Sequence, residues 1–108
     1  MARVVQTDQA REDLRDILRY LRRHSRPAAE RLAEAIKERL SLLSKSPRLG
    51  RERPELGTDV RSIVVGDYIL IYHATDAVVT VVRIFHGARD IETLMRLTDW
   101  EPPGTDEG

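Results

Sequence analysis

Apolar residues recur along the chain in two rhythms, and the change from one to the other divides it into a helical half and a sheet half. Arg3-Val4-Val5-Gln6 is short and partly β-branched, the size of an N-terminal strand. Leu14, Ile17, Leu18 and Leu21 follow at i, i+3, i+4 and i+7, one stripe of a helix over roughly residues 8–23. Thr7 or Asp8 supplies its N-cap, because a side-chain oxygen there accepts from an amide left unpaired in the first turn. His24-Ser25-Arg26-Pro27 breaks the helix, and Pro27 suits the first turn of a second one, where its missing N–H costs nothing. Ala29, Leu32, Ala33, Ile36, Leu40 and Leu43 mark the buried face of that helix, Glu30, Glu34 and Glu38 its wet face, and Ser46-Pro47 its end. Two amphipathic helices joined by about four residues predict an antiparallel hairpin.

Beyond it, residues 48–59 are polar, hold Gly50, Pro54 and Gly57, and read as a loop. Three strands follow, over 60–65, 68–74 and 78–85. Gly66-Asp67, with Gly first, predicts a type II′ turn between the first two. Tyr68, Leu70 and Tyr72 fall on one face of the second strand, and Ile69, Ile71 and His73 on the other. The third is apolar on both faces, as expected in the middle of a sheet. Asp90 caps a short last helix carrying Ile91, Leu94, Met95 and Leu97, with Trp100 as its anchor. The predicted fold is α+β: an N-terminal strand, an antiparallel helical hairpin, a three-stranded antiparallel meander forming a small sheet, and a short C-terminal helix. Residues 1–98 make one domain, and 99–108 are expected to be an acidic, disordered tail.

The length of 108 residues leaves no room for a second core. Without Cys, neither a disulfide framework nor a thiolate metal site is available. His24, His73 and His86 lie too far apart in sequence to suggest a metal site, and neither a metal nor a cofactor is expected. No apolar run nears the roughly 18 residues of a membrane span, and no signal-peptide core follows Met1, so a cytoplasmic location is expected. The zero net charge is unevenly spread. Through Asp90, 17 Lys and Arg face 13 Asp and Glu; beyond it, Arg96 alone faces five acids. A mildly basic body with an acidic tail fits a nucleic-acid or acidic-protein partner, with residues 99–108 partly screening the body.

The segment Asp59-Val-Arg-Ser-Ile-Val-Val-Gly-Asp-Tyr-Ile-Leu-Ile-Tyr-His, followed by Val81-Val-Arg-Ile-Phe-His-Gly-Ala-Arg-Asp, resembles the C-terminal half of ParE/RelE-family toxins. The His-x-x-Arg-Asp ending is its most specific piece. The first half is also similar, with Thr at the start of the first helix and Ser-Pro-x-x-Gly after the second, and the likeness spans about residues 2–95. It implies a type II toxin encoded beside an antitoxin, expected to be of the ribbon–helix–helix type, that wraps and neutralises it. ParE-type members poison DNA gyrase by binding, whereas RelE-type members cleave mRNA on the ribosome.

RNA cleavage by a 2′-hydroxyl needs a base, cations on the pentacoordinate phosphate, and an acid for the leaving oxygen. Arg61 and Arg83 match the family arginines that supply positive charge in nuclease members, and His86 brings an imidazole, the side chain most often used as acid or base. Against that reading, Glu92 stands where RelE-type ribonucleases commonly place a Tyr, and Lys37 and Lys45 are the chain's only lysines. Gyrase inhibition by binding is therefore the first reading, with a ribosome-dependent mRNA interferase second and a decayed toxin that only binds antitoxin third. Each candidate also has a structural reading. Arg83 pairs with a carboxylate such as Asp90, His86 is a hydrogen-bonded turn residue, and Arg89-Asp90 fixes the last helix. Arg15, Arg19 and Arg22 belong to an arginine run interleaved with Glu12, Asp13 and Asp16, either a solvated face or a docking surface for an acidic partner. Tyr68 and Tyr72 read as core or sheet-face residues. Antitoxin contact is expected on an apolar groove of the hairpin or on an exposed sheet edge.

Overall fold

A computed structural model of the chain describes residues 1–87 and 89–102, so the end of the acidic tail, 103–108, lies outside the described residues. In chain order the elements are β1 (Arg3–Gln6), α1 (Asp8–His24), α2 (Arg26–Lys45), β2 (Arg51–Glu52), a 3₁₀ turn (Pro54–Leu56), β3 (Val60–Val65), β4 (Tyr68–Ala74), β5 (Val78–His86) and α3 (Ile91–Arg96). The α+β class and the order of the main elements agree with the sequence reading. Three joints differ from it.

The first is the link between the helices, which is Ser25 alone. Its N–H donates to the Leu21 carbonyl at 2.7 Å and closes α1, while its Oγ accepts from the Ala28 amide at 3.2 Å and caps α2. One residue thus satisfies orphan groups of both helix ends, and no longer connection is needed. On α2, Ala29, Leu32, Ile36 and Leu43 are buried, whereas Ala33, expected on that face, is exposed.

The second difference is that the expected loop after α2 holds a strand. β2 pairs Arg51 with Ser62 and Glu52 with Arg61. The third is that the meander belongs to a five-stranded sheet of order β1-β5-β4-β3-β2, in which β1 runs parallel to β5 and all other pairs are antiparallel. β5 is hydrogen-bonded to β4 on one edge and to β1 on the other, and its two apolar faces are covered by the helical hairpin and by α3.

The two helices cover one face of the sheet, packing Ala10, Leu32 and Ile36 on Val65, Leu70, Val81 and Ile84, with Leu43, Tyr72 and Val79 beyond. On the other face, Val60, Ile69, Ile71 and Phe85 lie under α3, Leu56 and Trp100. The alternation along β4 assigns these faces as its sequence predicts. Gly66 takes the positive φ of 60° that the first position of a II′ turn requires, at no steric cost. Among the described residues no helix is long and apolar enough to cross a membrane.

β5 is not regular. Tyr72 pairs with Val81 but Ile71 pairs with Arg83, so Val82 is an extra residue, a bulge. Val79 and Val81 face the helices, and uninterrupted alternation would point Arg83 at them too. The bulge turns Arg83 to the opposite face and sends Ile84 into the core instead. The Thr7 hydroxyl fastens this point. It accepts from the Ala10 amide at 3.0 Å as the N-cap of α1, and donates to the Val82 carbonyl at 2.8 Å.

A second fastening holds the α2–β2 connection. The buried Tyr72 hydroxyl accepts from the Gly50 amide at 2.8 Å and donates to the Pro47 carbonyl at 2.9 Å, and burial raises its pKa above the ordinary tyrosine value. A Cβ on Gly50 would lie 2.6 Å from the Ser62 carbonyl oxygen and 2.7 Å from that hydroxyl. Tyr72→Phe leaves two backbone groups short of partners and is expected to cost about 1–3 kcal/mol in urea unfolding. Gly50→Ala, which forces the backbone apart, is expected to cost at least as much; a loss below about 0.5 kcal/mol for both would contradict this account.

Candidate functional site

The bulge directs Arg83 toward a cleft of about 220 Å³ between α1, the end of β5 and α3, lined by Asp13, Asp16, Tyr68, Arg83, Phe85, His86, Arg89 and Leu94 among others. Arg83 sits at the base of a closed network. Its Nε and Nη2 donate to Oδ2 and Oδ1 of Asp13 at 2.8 and 2.9 Å, a bidentate pair. Nη1 donates to Thr98 Oγ1 at 2.9 Å, and the guanidinium lies over the Phe85 ring, 4.7 Å from its centroid. Asp13 Oδ2 also accepts the Ile84 amide at 2.9 Å. The two side chains keep only 19% and 15% of their surface exposed, and the hydrogen bonds to Asp13 raise the pKa of Arg83 against the opposing effect of burial.

This replaces one sequence expectation and completes another. Arg83 does pair with a carboxylate, but with Asp13 rather than Asp90. Asp90 instead caps α3, accepting from the Thr93 amide at 3.3 Å and hydroxyl at 2.8 Å, and these bonds lower its pKa. Sequence reasoning placed Asp13 among the acids of a solvated arginine run. The available signal was its position beside the buried stripe, one residue before Leu14 and four before Ile17. Thr98 carried no signal at all.

His86, at the exposed end of β5, meets the Tyr68 ring edge-on at 5.4 Å between centroids, and its carbonyl accepts the Arg89 amide at 3.1 Å. Burial is the first cause of a raised Tyr68 pKa. Arg61 lies elsewhere. It is opposite Tyr72, whose side chain packs with Leu43 on the helix side, whereas Arg83 is opposite Ile71, which packs under α3. Residues directly opposed in an antiparallel pair share a face, so Arg61 and Arg83 occupy opposite faces of the sheet. Arg61 donates to the Gly50 and Arg48 carbonyls at 2.8 and 3.2 Å and pairs with Glu52 at 3.3 Å, pinning β2 and the preceding loop. The fold thus brings Arg83, His86 and Arg89 to one cleft and leaves Arg61 out of it. Arg15, Arg19 and Arg22 are exposed along α1; Arg19 pairs with Asp16 at 3.2 Å.

Removing one partner of a buried ion pair strands the other's charge. Asp13→Ala is therefore expected to cost about 3 kcal/mol, and Asp13→Asn, which keeps an acceptor for Ile84, about 2 kcal/mol, allowing for the residual solvent access. Urea midpoints measure both. Equal, near-zero shifts would mean the pair holds nothing together.

The comparisons with known proteins agree with this architecture. Residues 4–91 match the family described as the ParE toxin of type II toxin-antitoxin system, parDE. The chain is 36% identical over 89 residues to Toxin RelE2 of Caulobacter vibrioides, an alignment covering 82% of this chain and 99% of that protein. Its fold matches a chain of the chromosomal ParDE TA system from P. aeruginosa with a TM-score of 0.66 at 20% identity, over 80% of this chain and 96% of the other. A helical hairpin on a mixed sheet closed by its own N-terminal strand, with a match of this extent, identifies the chain as a member of the ParE toxin family of type II toxin-antitoxin systems.

Proposed function

We propose that the protein is a ParE-like toxin that inhibits DNA gyrase by binding it, and that a cognate antitoxin of the ribbon–helix–helix type neutralises it. The observation that carries this reading is the engagement of Arg83. A cation that stabilises a phosphorane must present free N–H donors to it. Three of the five N–H donors of Arg83 are already engaged within the protein, two of them in the bidentate pair with Asp13, and Phe85 covers one face. Arg61 belongs to the other face of the sheet, so the two arginines do not converge on one phosphate. Asp13 and Asp16 offset Arg83 and Arg89 in the cleft, which leaves its lining without the net positive charge that favours RNA binding. Glu92 in place of the tyrosine of RelE-type ribonucleases points the same way.

A second reading, a ribosome-dependent mRNA interferase, draws on His86 and Arg89 lining the same cleft as Arg83. The two readings differ in what they require of His86, an exposed residue whose truncation spares the core. In the gyrase reading, purified protein inhibits supercoiling, and His86→Ala retains most of its growth inhibition. In the nuclease reading, RNA sequencing after expression shows new breaks within translated codons, and His86→Ala lowers cleavage by about 100-fold or more. Unchanged supercoiling at saturating protein would remove the gyrase proposal. Harmless expression without antitoxin would leave a chain that only binds its partner.

A further inference from the structure

The open half of β3 is guarded from outside the sheet. β2 pairs only with Arg61 and Ser62, so Ile63, Val64 and Val65 have a neighbouring strand on the β4 side alone. The Val60 carbonyl accepts from the Arg53 amide on the β2 side. Strand alternation therefore turns the N–H and C=O groups of Val64 to that same side, past the reach of β2. Arg39 fills this gap from α2. Its Nη1 donates to the Val64 carbonyl at 2.9 Å, and it makes no ion pair among the described residues. One turn away on α2 stand Ala35, Ile36, Leu42 and Leu43, so no carboxylate at helical spacing competes for the guanidinium. The stretch it covers is the least defended part of the edge. Ile63-Val64-Val65 is β-branched and uncharged, and Val64 and Leu42 keep 58% and 48% of their surface exposed. Such a segment on a sheet edge is a template for another strand. The rest of this edge has a different defence, because β2 is only two residues long and both are charged.

We infer that Arg39 is a gate on this edge, and that it shuts out a second copy of the chain, which otherwise pairs its own β3 with this one. A second copy is the occupant that the edge fits. Val64 presents one outward donor and one outward acceptor, and two such edges related by a two-fold axis satisfy one another. The pairing brings together apolar, β-branched side chains from both copies and sets no like charges opposite each other. While the guanidinium holds the Val64 carbonyl, that acceptor is taken, and the arginine side chain fills the place that the incoming strand needs. The gate acts from a helix, 25 positions before the residue it covers, and leaves the hydrogen bonds between β3 and β4 untouched. It operates whichever target the toxin acts on.

Arg39→Met, which keeps the apolar stem and removes the donors, opens the gate. Sedimentation measures association of the full chain, and NMR reads hydrogen exchange at the Val64 amide. The expected result is that the unaltered protein stays monomeric to about 1 mM, whereas Arg39→Met dimerises at least about tenfold more tightly than that limit. Exchange at Val64 should then slow as the concentration of the variant rises. Adding Val64→Pro, which removes the outward N–H without touching the β4 side, should return the variant to a monomer. An Arg39→Met protein that stays monomeric over the same range overturns the inference, as does a dimer whose Val64 amide exchanges as fast as before. Association that persists in the Arg39→Met, Val64→Pro protein assigns the contact to another surface and does the same. The unaltered protein supplies a test that needs no substitution. In about 0.5 M salt, which screens repulsion between copies, the hydrogen-bonded cap keeps its place and the chain should remain monomeric. Dimerisation there would mean that charge alone holds the copies apart, and the gate would be discarded.

Discussion

The carboxylate of Asp13 joins the helical layer to the sheet, and the rest of the arrangement follows from where it sits. β1 accompanies β5 only from Val78 to Val81, so the farther half of β5 has no strand on that side. α1 takes over there with side chains. Thr7 satisfies the Val82 carbonyl, and Asp13 satisfies the Ile84 amide together with the Arg83 guanidinium. A sheet edge that would otherwise open to solvent is closed by one hydroxyl and one carboxylate. The bulge at Val82, the reversal of Arg83 and the shape of the cleft all depend on that closure.

Features set by local physics were legible in the sequence. The stripe of α1, its cap at Thr7 or Asp8, the Gly66 turn and the two faces of β4 each depend on residues within a few positions of one another. What was not legible depends on distance along the chain. Asp13 and Arg83 are 70 positions apart, and nothing near either residue announces the other. The parallel partner of β1 was hidden for the same reason. β2 escaped notice because two charged residues pairing with β3 leave no hydrophobic alternation to detect. Ser25 was missed because a break of four residues containing a proline reads as a loop, although one capping serine suffices. Of the candidate site, Arg83, His86 and Arg89 were recognisable from the family-like motif, while the sharing of roles between Arg83 and Arg61 needed the sheet faces.

Counting arginines along the chain overstates how much positive charge is available to a partner. Arg39 donates to the Val64 carbonyl on the open part of β3, Arg53 to Ser62, Arg61 to two loop carbonyls, and Arg83 to Asp13 and Thr98. Arginine suits these tasks because its planar fork makes several directed bonds from one side chain and keeps its charge when partly covered. The scarcity of lysine agrees with such a use. Mobile, strongly hydrated ammonium groups serve diffuse attraction to phosphate, whereas fixed guanidinium groups serve as internal struts.

The closure of the sheet by its own N-terminus has a consequence for synthesis. The helical hairpin is made of neighbours and forms quickly, but β1 must find a strand 75 positions downstream, the slow kind of contact. A chain emerging from the ribosome displays β1 ahead of both helices and its partner only after β4. Until Val78 to His86 has been made there is no bulge, no bidentate pair and no floor to the cleft. For a member of a toxin family, an interrupted product is a pair of helices without the Arg83 cleft.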